Sequence, residues 1–203
     1  MPHPPHWNQG AVWTLNRQLW QPHKRGHAVR FISGFLAALG VVVLVALAIT
    51  YSGSYNVAAN VPDAGIIKWL LFTNMERSVM NHARAIKAPA QLTDEQARQG
   101  FRIYKETCVY CHGAPGKDAG AIGKGLNPEP PYLPDTAGRW TSAQLFWIIK
   151  NGIKMTGMAS YGAVHNDDEI WTLVAFVQLL PKMTEEQYVK MEQASVGPDS
   201  VPR

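Results

Sequence analysis

The longest apolar run in the chain covers residues 31–51 and contains no charged side chain. As a helix it would span about 31 Å, which matches the hydrocarbon core of a bilayer. Backbone groups in hydrocarbon must be satisfied within the segment, so we expect a helix. The pattern predicts one transmembrane helix at 31–51. It leaves open a cleaved signal peptide, because Ala46-Leu47-Ala48 fits a cleavage site, and a buried core helix, which rarely runs this long without a charge.

A second helical pattern follows at residues 63–88 and is closed by Pro89. Its apolar stripe consists of Phe72, Met75, Val79, Ala83 and Ile86. This spacing predicts an amphipathic helix. The stripe must be covered by the following domain, a membrane surface or another subunit, and the sequence does not choose among them. His82 lies beside the stripe, and we interpret it as a structural histidine.

Polar tetrads that can cap a helix mark the starts of three further helices. The tetrads begin at Thr93, Thr141 and Asn166, and the predicted helices end near Tyr104, Gly152 and Pro181. A shorter helix starts at Thr184. Residues 113–138 are rich in glycine and proline and are predicted to form a long loop, which is uncommon unless something functional organises it. No strand pattern is convincing, so the fold class is all-α.

These patterns divide the chain into five segments. They are an N-terminal tail at 1–30, the transmembrane helix at 31–51, a linker with the amphipathic helix at 52–92, a helical domain at 93–182, and a C-terminal tail with a short helix at 183–203. Residues 11–20 could form a short interfacial helix. The histidines of the N-terminal tail (His3, His6, His23 and His27) fit no metal-ligand spacing, and we interpret them as solvated.

Charge is distributed unevenly along the chain. The sequence has 19 Lys+Arg and 15 Asp+Glu, a formal net charge of +4. Residues 1–30 contain four basic residues and no acid, so the remainder is neutral. The positive-inside rule therefore predicts a cytoplasmic N-terminal tail and an exported C-terminal domain. A neutral domain argues against a nucleic-acid partner, because phosphate contacts require concentrated basic residues.

The two cysteines, Cys108 and Cys111, stand with His112 in the pattern C-x-x-C-H, the attachment site of a c-type haem. Two thiols about one helical turn apart can form thioethers with the porphyrin, and the adjacent histidine becomes the proximal iron ligand. The motif uses every cysteine of the chain and follows a capped helix. A zinc site would need further ligands, a redox pair would need a βαβ setting, and a disulfide here would close too short a loop.

A six-coordinate haem needs a second axial ligand, for which a methionine thioether is the usual choice in electron carriers. Met155 and Met158 both lie in a glycine-rich stretch between two predicted helices. Both are therefore candidates. The alternative, that a methionine fills a core, suits this loop poorly because it has no core to fill without a cofactor.

The chain from about Thr93 to Leu180 resembles a class I c-type cytochrome. The matching residues are those of the haem motif (108–112), Gly152–Met158 and Glu169–Leu180. Upstream, Tyr55–Ala59 and Arg77–Val79 are similar to membrane-anchored bacterial monohaem cytochromes. The resemblance implies a class I cytochrome c domain behind an N-terminal single transmembrane helix, with one covalently attached haem c and its iron.

The resemblance also assigns roles to individual residues. It makes His112 and Met158 the iron ligands and gives the carbonyl of Pro131 to His112 Nδ1. Because Ala159 stands where the family has proline, Met155 remains an alternative ligand. Family domains cross their first and last helices at a small residue facing an aromatic, and Gly100 with Phe176 fits that pattern. Arg139 and Trp140 could donate to the haem propionates, although a surface role for the arginine is equally compatible.

The function implied is single-electron transfer on the periplasmic side of a bacterial inner membrane. Such a protein would be an electron carrier and not an enzyme, working as a tethered carrier or as a subunit of a larger membrane complex. Its partners would be the membrane and redox proteins, with no nucleic acid and no small-molecule substrate. Two alternatives stay open: a haem enzyme or gas sensor with an open distal site, and a mainly structural accessory subunit.

Overall fold

The computed structural model describes residues 24–195, which fall into two units divided between Val57 and Ala58. The interfacial helix expected at 11–20, most of the N-terminal tail with three of its histidines, and residues 196–203 lie outside the described range.

The first unit is dominated by one long helix, α1, at Lys24–Ser52. Within the described residues, the stretch His27–Ser52 is the one helix long and apolar enough to cross a membrane, and its side chains are exposed. The hydroxyls of Ser33 and Thr50 donate to carbonyls of the preceding turn, at 3.0 and 2.9 Å. These polar groups are thereby satisfied inside the helix, as a hydrocarbon environment requires.

The second unit contains eight α-helices within residues 58–195. They are α2 Gly65–His82, α3 Asp94–Ile103, α4 Val109–His112, α5 Ala121–Lys124, α6 Leu133–Thr136, α7 Ser142–Asn151, α8 Asp167–Leu179 and α9 Glu185–Ala194. A π-helical turn, Tyr104–Cys108, joins α3 to α4. The described residues contain no strand, and the predicted all-α class is confirmed.

The helix starts follow the capping signals in the sequence. Thr93, Thr141, Asn166 and Thr184 each accept a hydrogen bond from the backbone N–H three residues on, and each capping box is reciprocal. The region 113–138 is not a plain loop, since it contains α5, α6 and a 3₁₀ turn. Single-turn helices of four residues are too short to show a periodic pattern, which is why the sequence did not reveal them.

The core forms where α3 crosses α8. A Cβ atom on Gly100 would lie 1.9 Å from the carbonyl oxygen of Thr172, so only glycine allows this approach. The crossing at Gly100 is as expected, but its nearest neighbour is the Thr172 backbone. The ring of Phe176 packs instead against Phe101, with centroids 5.3 Å apart, and against Tyr104.

Both flanking helices pack onto this core. Tyr188 of α9 is fully buried, and its ring lies 5.5 Å from that of Phe101. Val79 of α2 is also fully buried, and His82 lies 5.4 Å from the ring of Trp147 on α7. The part of the apolar stripe formed by Val79 and Ala83 is therefore covered by helices of its own unit, whereas Phe72 remains 48% exposed.

The close crossing gives a stability prediction. Gly100→Ala should lower the free energy of unfolding by about 1–3 kcal/mol or more, because the new methyl group collides with backbone that cannot move aside. Gly125→Ala is the matched control, since its Cβ would meet its nearest atom at an ordinary 3.4 Å. Denaturant unfolding of the two haem-loaded variants measures the difference, and equal stability of the two would contradict the crossing geometry.

Candidate haem site

The haem motif lies on the helical run that continues from α3. The π turn carries Cys108, and α4 carries Cys111 and His112. Both cysteines are free thiols and not a disulfide. Burial raises the pKa of the Cys108 thiol, while hydrogen bonds from Thr107 and Tyr161 act in the opposite direction. The structure therefore offers two thiols and an imidazole from one short stretch of helix.

These side chains line a cavity of about 350 Å³, a volume in the range of cofactor pockets. The predicted ligands Cys108, Cys111, His112 and Met158 all reach it, as does Pro131. Its other walls are mostly apolar and include Leu126, Leu133, Leu145, Ile149, Leu173 and Val177. Apolar walls of this kind exclude water from whatever group the cavity holds.

The His112 ring is held by the loop that precedes α6. Its Nδ1 lies 2.9 Å from the carbonyl oxygen of Pro131. A carbonyl can only accept, so Nδ1–H donates and Nε2 keeps its lone pair. Burial lowers the pKa of His112, although the hydrogen bond to Pro131 partly offsets this. A neutral imidazole with a free Nε2 is the form that binds a metal.

The loop after the motif is secured by two tyrosines that the sequence did not single out. Tyr104 donates its hydroxyl hydrogen to the Gly113 carbonyl at 2.6 Å, and Tyr132 donates to the Ala114 carbonyl at 2.6 Å. Burial raises the pKa of Tyr104 well above its usual value, so it remains a donor. Farther along, a Cβ on Gly123 would lie 2.8 Å from Cys111 Cα. The loop thus folds closely back onto the motif.

The loop between α7 and α8 separates the two candidate methionines. Met158 is half-buried and lines the cavity, and its N–H donates to Thr156 Oγ1 at 3.1 Å. Thr156 Oγ1 in turn donates to the Ile153 carbonyl at 2.7 Å. Met155 is 77% exposed and is not among the residues that line the cavity. The structure brings Met158, and not Met155, to the cavity with the haem motif.

Arg139 and Trp140 also line the cavity. Arg139 forms an ion pair with Glu76 of α2. Its guanidinium lies 5.2 Å from the centroid of the Trp140 ring. The two side chains expected near the haem propionates are thus at the cavity wall.

The side chains present fit a covalently bound haem. Two free thiols in adjacent turns, an imidazole whose Nε2 is unprotonated, and a thioether all converge on one apolar cavity. This is the donor set that c-type haem attachment and axial ligation use.

Comparison with known proteins gives one family match. A family model described as cytochrome c oxidase, cbb3-type, subunit III matches residues 95–177. No curated protein sequence matches significantly. Among solved structures, the Kuenenia stuttgartiensis reducing HAO-like protein complex Kustc0457/Kustc0458 is similar at 24% identity and a TM-score of 0.40. The match covers 45% of this chain and 46% of that one, so the chain spans about half of that protein's length.

The domain around residues 95–177 is a class I c-type cytochrome domain. It is a haem-binding domain of the electron-transfer type.

The tyrosine that secures the loop gives a second prediction. Tyr104→Phe should lower the free energy of unfolding by about 1–3 kcal/mol, because the Gly113 carbonyl loses its donor while the ring still packs. Tyr110→Phe, at a side chain that is 57% exposed, is the matched control and should change little. Denaturant unfolding followed by circular dichroism compares the two. A loss as large in the control would show that the buried hydrogen bond is not the cause.

Proposed function

We propose that the protein is a membrane-anchored monohaem c-type cytochrome that transfers single electrons between redox proteins on the periplasmic side of a bacterial inner membrane. The observation that carries this proposal is the convergence of Cys108, Cys111, His112 and Met158 on one apolar cavity. Bound haem c would supply a one-electron couple at its iron. The protein would make no substrate bond and would act as a carrier and not as an enzyme.

In this proposal His112 is the proximal ligand and offers its Nε2 to the iron. The bond from Nδ1–H to the Pro131 carbonyl fixes the tautomer and the ring orientation, and it makes Nε2 a stronger donor. Cys108 and Cys111 would hold the porphyrin through thioethers. These roles follow the family pattern residue by residue, and the positions of the three side chains support them.

Met158 is the second axial ligand in this proposal. The exposure of Met155 and its absence from the cavity lining favour Met158, although Ala159 replaces the proline of the family pattern. A thioether ligand raises the reduction potential, and ligands on both axial positions leave no site for a substrate or gas. The apolar cavity walls keep water away from the same region.

The proposed anchor is α1, with the basic N-terminal tail in the cytoplasm. Residues 53–64 join α1 to α2, so only twelve residues separate the two helices along the chain. A tether of this length raises the effective concentration of the cytochrome near membrane-bound partners. The family description names an oxidase subunit, which supports service to a membrane-bound respiratory complex, either as its subunit or as a carrier held beside it.

The haem assignment is tested on the detergent-purified full chain. A pyridine haemochrome assay should find one haem per chain, bound covalently, with a low-spin spectrum. Met158→Ala should lower the reduction potential and allow carbon monoxide to bind the reduced protein, because the thioether is gone. Met155→Ala is the matched control and should do neither.

Two results would contradict the assignment. Loss of all colour on acid-acetone extraction would exclude covalent haem. Rapid, stoichiometric binding of carbon monoxide to the unmodified protein would show an open distal site and favour a haem enzyme or gas sensor over a carrier.

The anchor is tested by fractionation and intact mass. We expect the full-length chain to stay with membranes after an alkaline carbonate wash, and a C-terminal alkaline phosphatase fusion to be active, because the domain is exported. A soluble mature chain that begins after residue 48 would instead identify a signal peptide. Copurification of other subunits in mild detergent would distinguish a permanent subunit from a free tethered carrier.

A further inference from the structure

Helix α2 contributes to the cavity although it lies outside the segment that the family model matches. Phe72 and Met75 both line the cavity that contains Cys108, Cys111 and His112. Phe72 is 48% exposed and Met75 is half-buried, so each side chain lies between the cavity and the solvent. The two side chains are three residues apart and so lie on one face of the helix. This part of the cavity wall is therefore an addition to the matched cytochrome segment.

Helix α2 is held on its own unit by buried side chains. Val79 and Ala83 continue the same face one and two turns along, and both are buried. His82 packs against Trp147 of α7, with ring centroids 5.4 Å apart. A helix held at this end has little freedom to swing away from the cavity, because buried side chains would have to be exposed.

Arg139 links α2 to the rest of the wall. Its guanidinium is paired with the Glu76 carboxylate, and it lies 5.7 Å from the Phe72 ring and 5.2 Å from the Trp140 ring. Glu76 receives a hydrogen bond from Nη2. A guanidinium has five N–H donors in a fixed plane, so donors remain for a second carboxylate. An arginine that is braced in this way presents those donors in one orientation.

We propose that α2 is a structural wall of the haem site and that Glu76 is a positioning residue for Arg139. In this arrangement Phe72 and Met75 shield the bound group from water, and Glu76 holds the Arg139 guanidinium where it can bind a haem carboxylate. The inference rests on the proposed haem function and assigns that function residues that the matched segment does not contain.

The shielding role determines the sign of the expected effect. Water stabilises the more highly charged, oxidised form of an iron centre, so solvent exposure is one of the factors that set the reduction potential. Opening the wall should therefore lower the potential. A leucine at position 72 fills more of the space than an alanine does, so it should restore much of the original reduction potential.

The first experiment compares Phe72→Ala with Leu70→Ala in the detergent-purified holoprotein, by spectroelectrochemical titration. Leu70 is on the same helix and is 58% exposed, close to the 48% of Phe72, but unlike Phe72 it does not line the cavity. At a fixed ambient potential, Phe72→Ala should reduce the ratio of reduced to oxidised haem about three- to tenfold, where tenfold corresponds to about 59 mV. Leu70→Ala should leave the ratio unchanged, and Phe72→Leu should recover most of the loss. Equal effects of the two alanine variants would overturn the shielding role.

The second experiment is a double-mutant cycle on the reduction potential with Glu76→Gln and Arg139→Gln. If Glu76 positions Arg139, Arg139→Gln should have a smaller effect once Glu76 is replaced. The fold-change in the ratio of reduced to oxidised haem should be at least three times smaller in the Glu76→Gln background than in the original protein. Additive effects would mean that the two residues act independently and would overturn the positioning role.

A surface ion pair provides the control for this cycle. Glu95 pairs with Arg98 at 2.6 Å, and both side chains are more than 60% exposed. Glu95→Gln combined with Arg139→Gln should give additive changes. Covalent haem content and the low-spin spectrum are recorded for every variant. If the unmodified protein lacks covalent haem or the low-spin spectrum, the proposed function is wrong. If it has both, but the variants of the wall do not change the reduction potential, only this inference is wrong.

Discussion

The backbone contact between Gly100 and Thr172 determines where the haem motif lies. The absence of a Cβ lets α3 press onto α8, and α3 then runs through the π turn directly into the helix that carries Cys111 and His112. The other partner in the crossing, α8, supplies Leu173 and Val177 to the cavity. One close approach therefore places two walls of the cavity at once, and a larger residue at position 100 would displace the motif from its apolar surroundings.

The cavity also requires that residues 113–138, which are rich in glycine and proline, adopt one fixed conformation. Two tyrosine hydroxyls hold it from either side, the buried one of Tyr104 on the turn before the motif and the partly buried one of Tyr132 just before α6. Because Tyr132 directly follows Pro131, the bond from Tyr132 to Ala114 also helps to fix the carbonyl that His112 uses. Loop order and histidine orientation are thus parts of one hydrogen-bonded arrangement. This explains how so long a segment without large helices can still form a defined wall.

The sequence predicted interactions between residues that are close along the chain, but not tertiary contacts between distant residues. Capping boxes such as Thr93 and Thr141 involve residues three apart, so the helix starts were predicted correctly. The contacts of Tyr104 and Phe72 join residues far apart in the chain or in different helices, and no spacing rule reports them. The choice between Met155 and Met158 likewise depended on which side of a loop faces the cavity. Helix α1 starts at Lys24 and not at residue 31, so the helix also includes the basic residues that precede the apolar run.

The packing of α2 on its own unit changes the role of the segment that precedes the matched cytochrome domain. The sequence predicted a linker with an amphipathic helix at residues 52–92 and left open what covers that helix. In the structure Val79 and Ala83 are buried, and the Val61 carbonyl accepts a hydrogen bond from Asn127 at 3.3 Å, so most of this segment belongs to the folded unit that contains the haem motif. A segment packed in this way can form a fixed part of the cavity wall, as Phe72 and Met75 do, which a flexible linker could not.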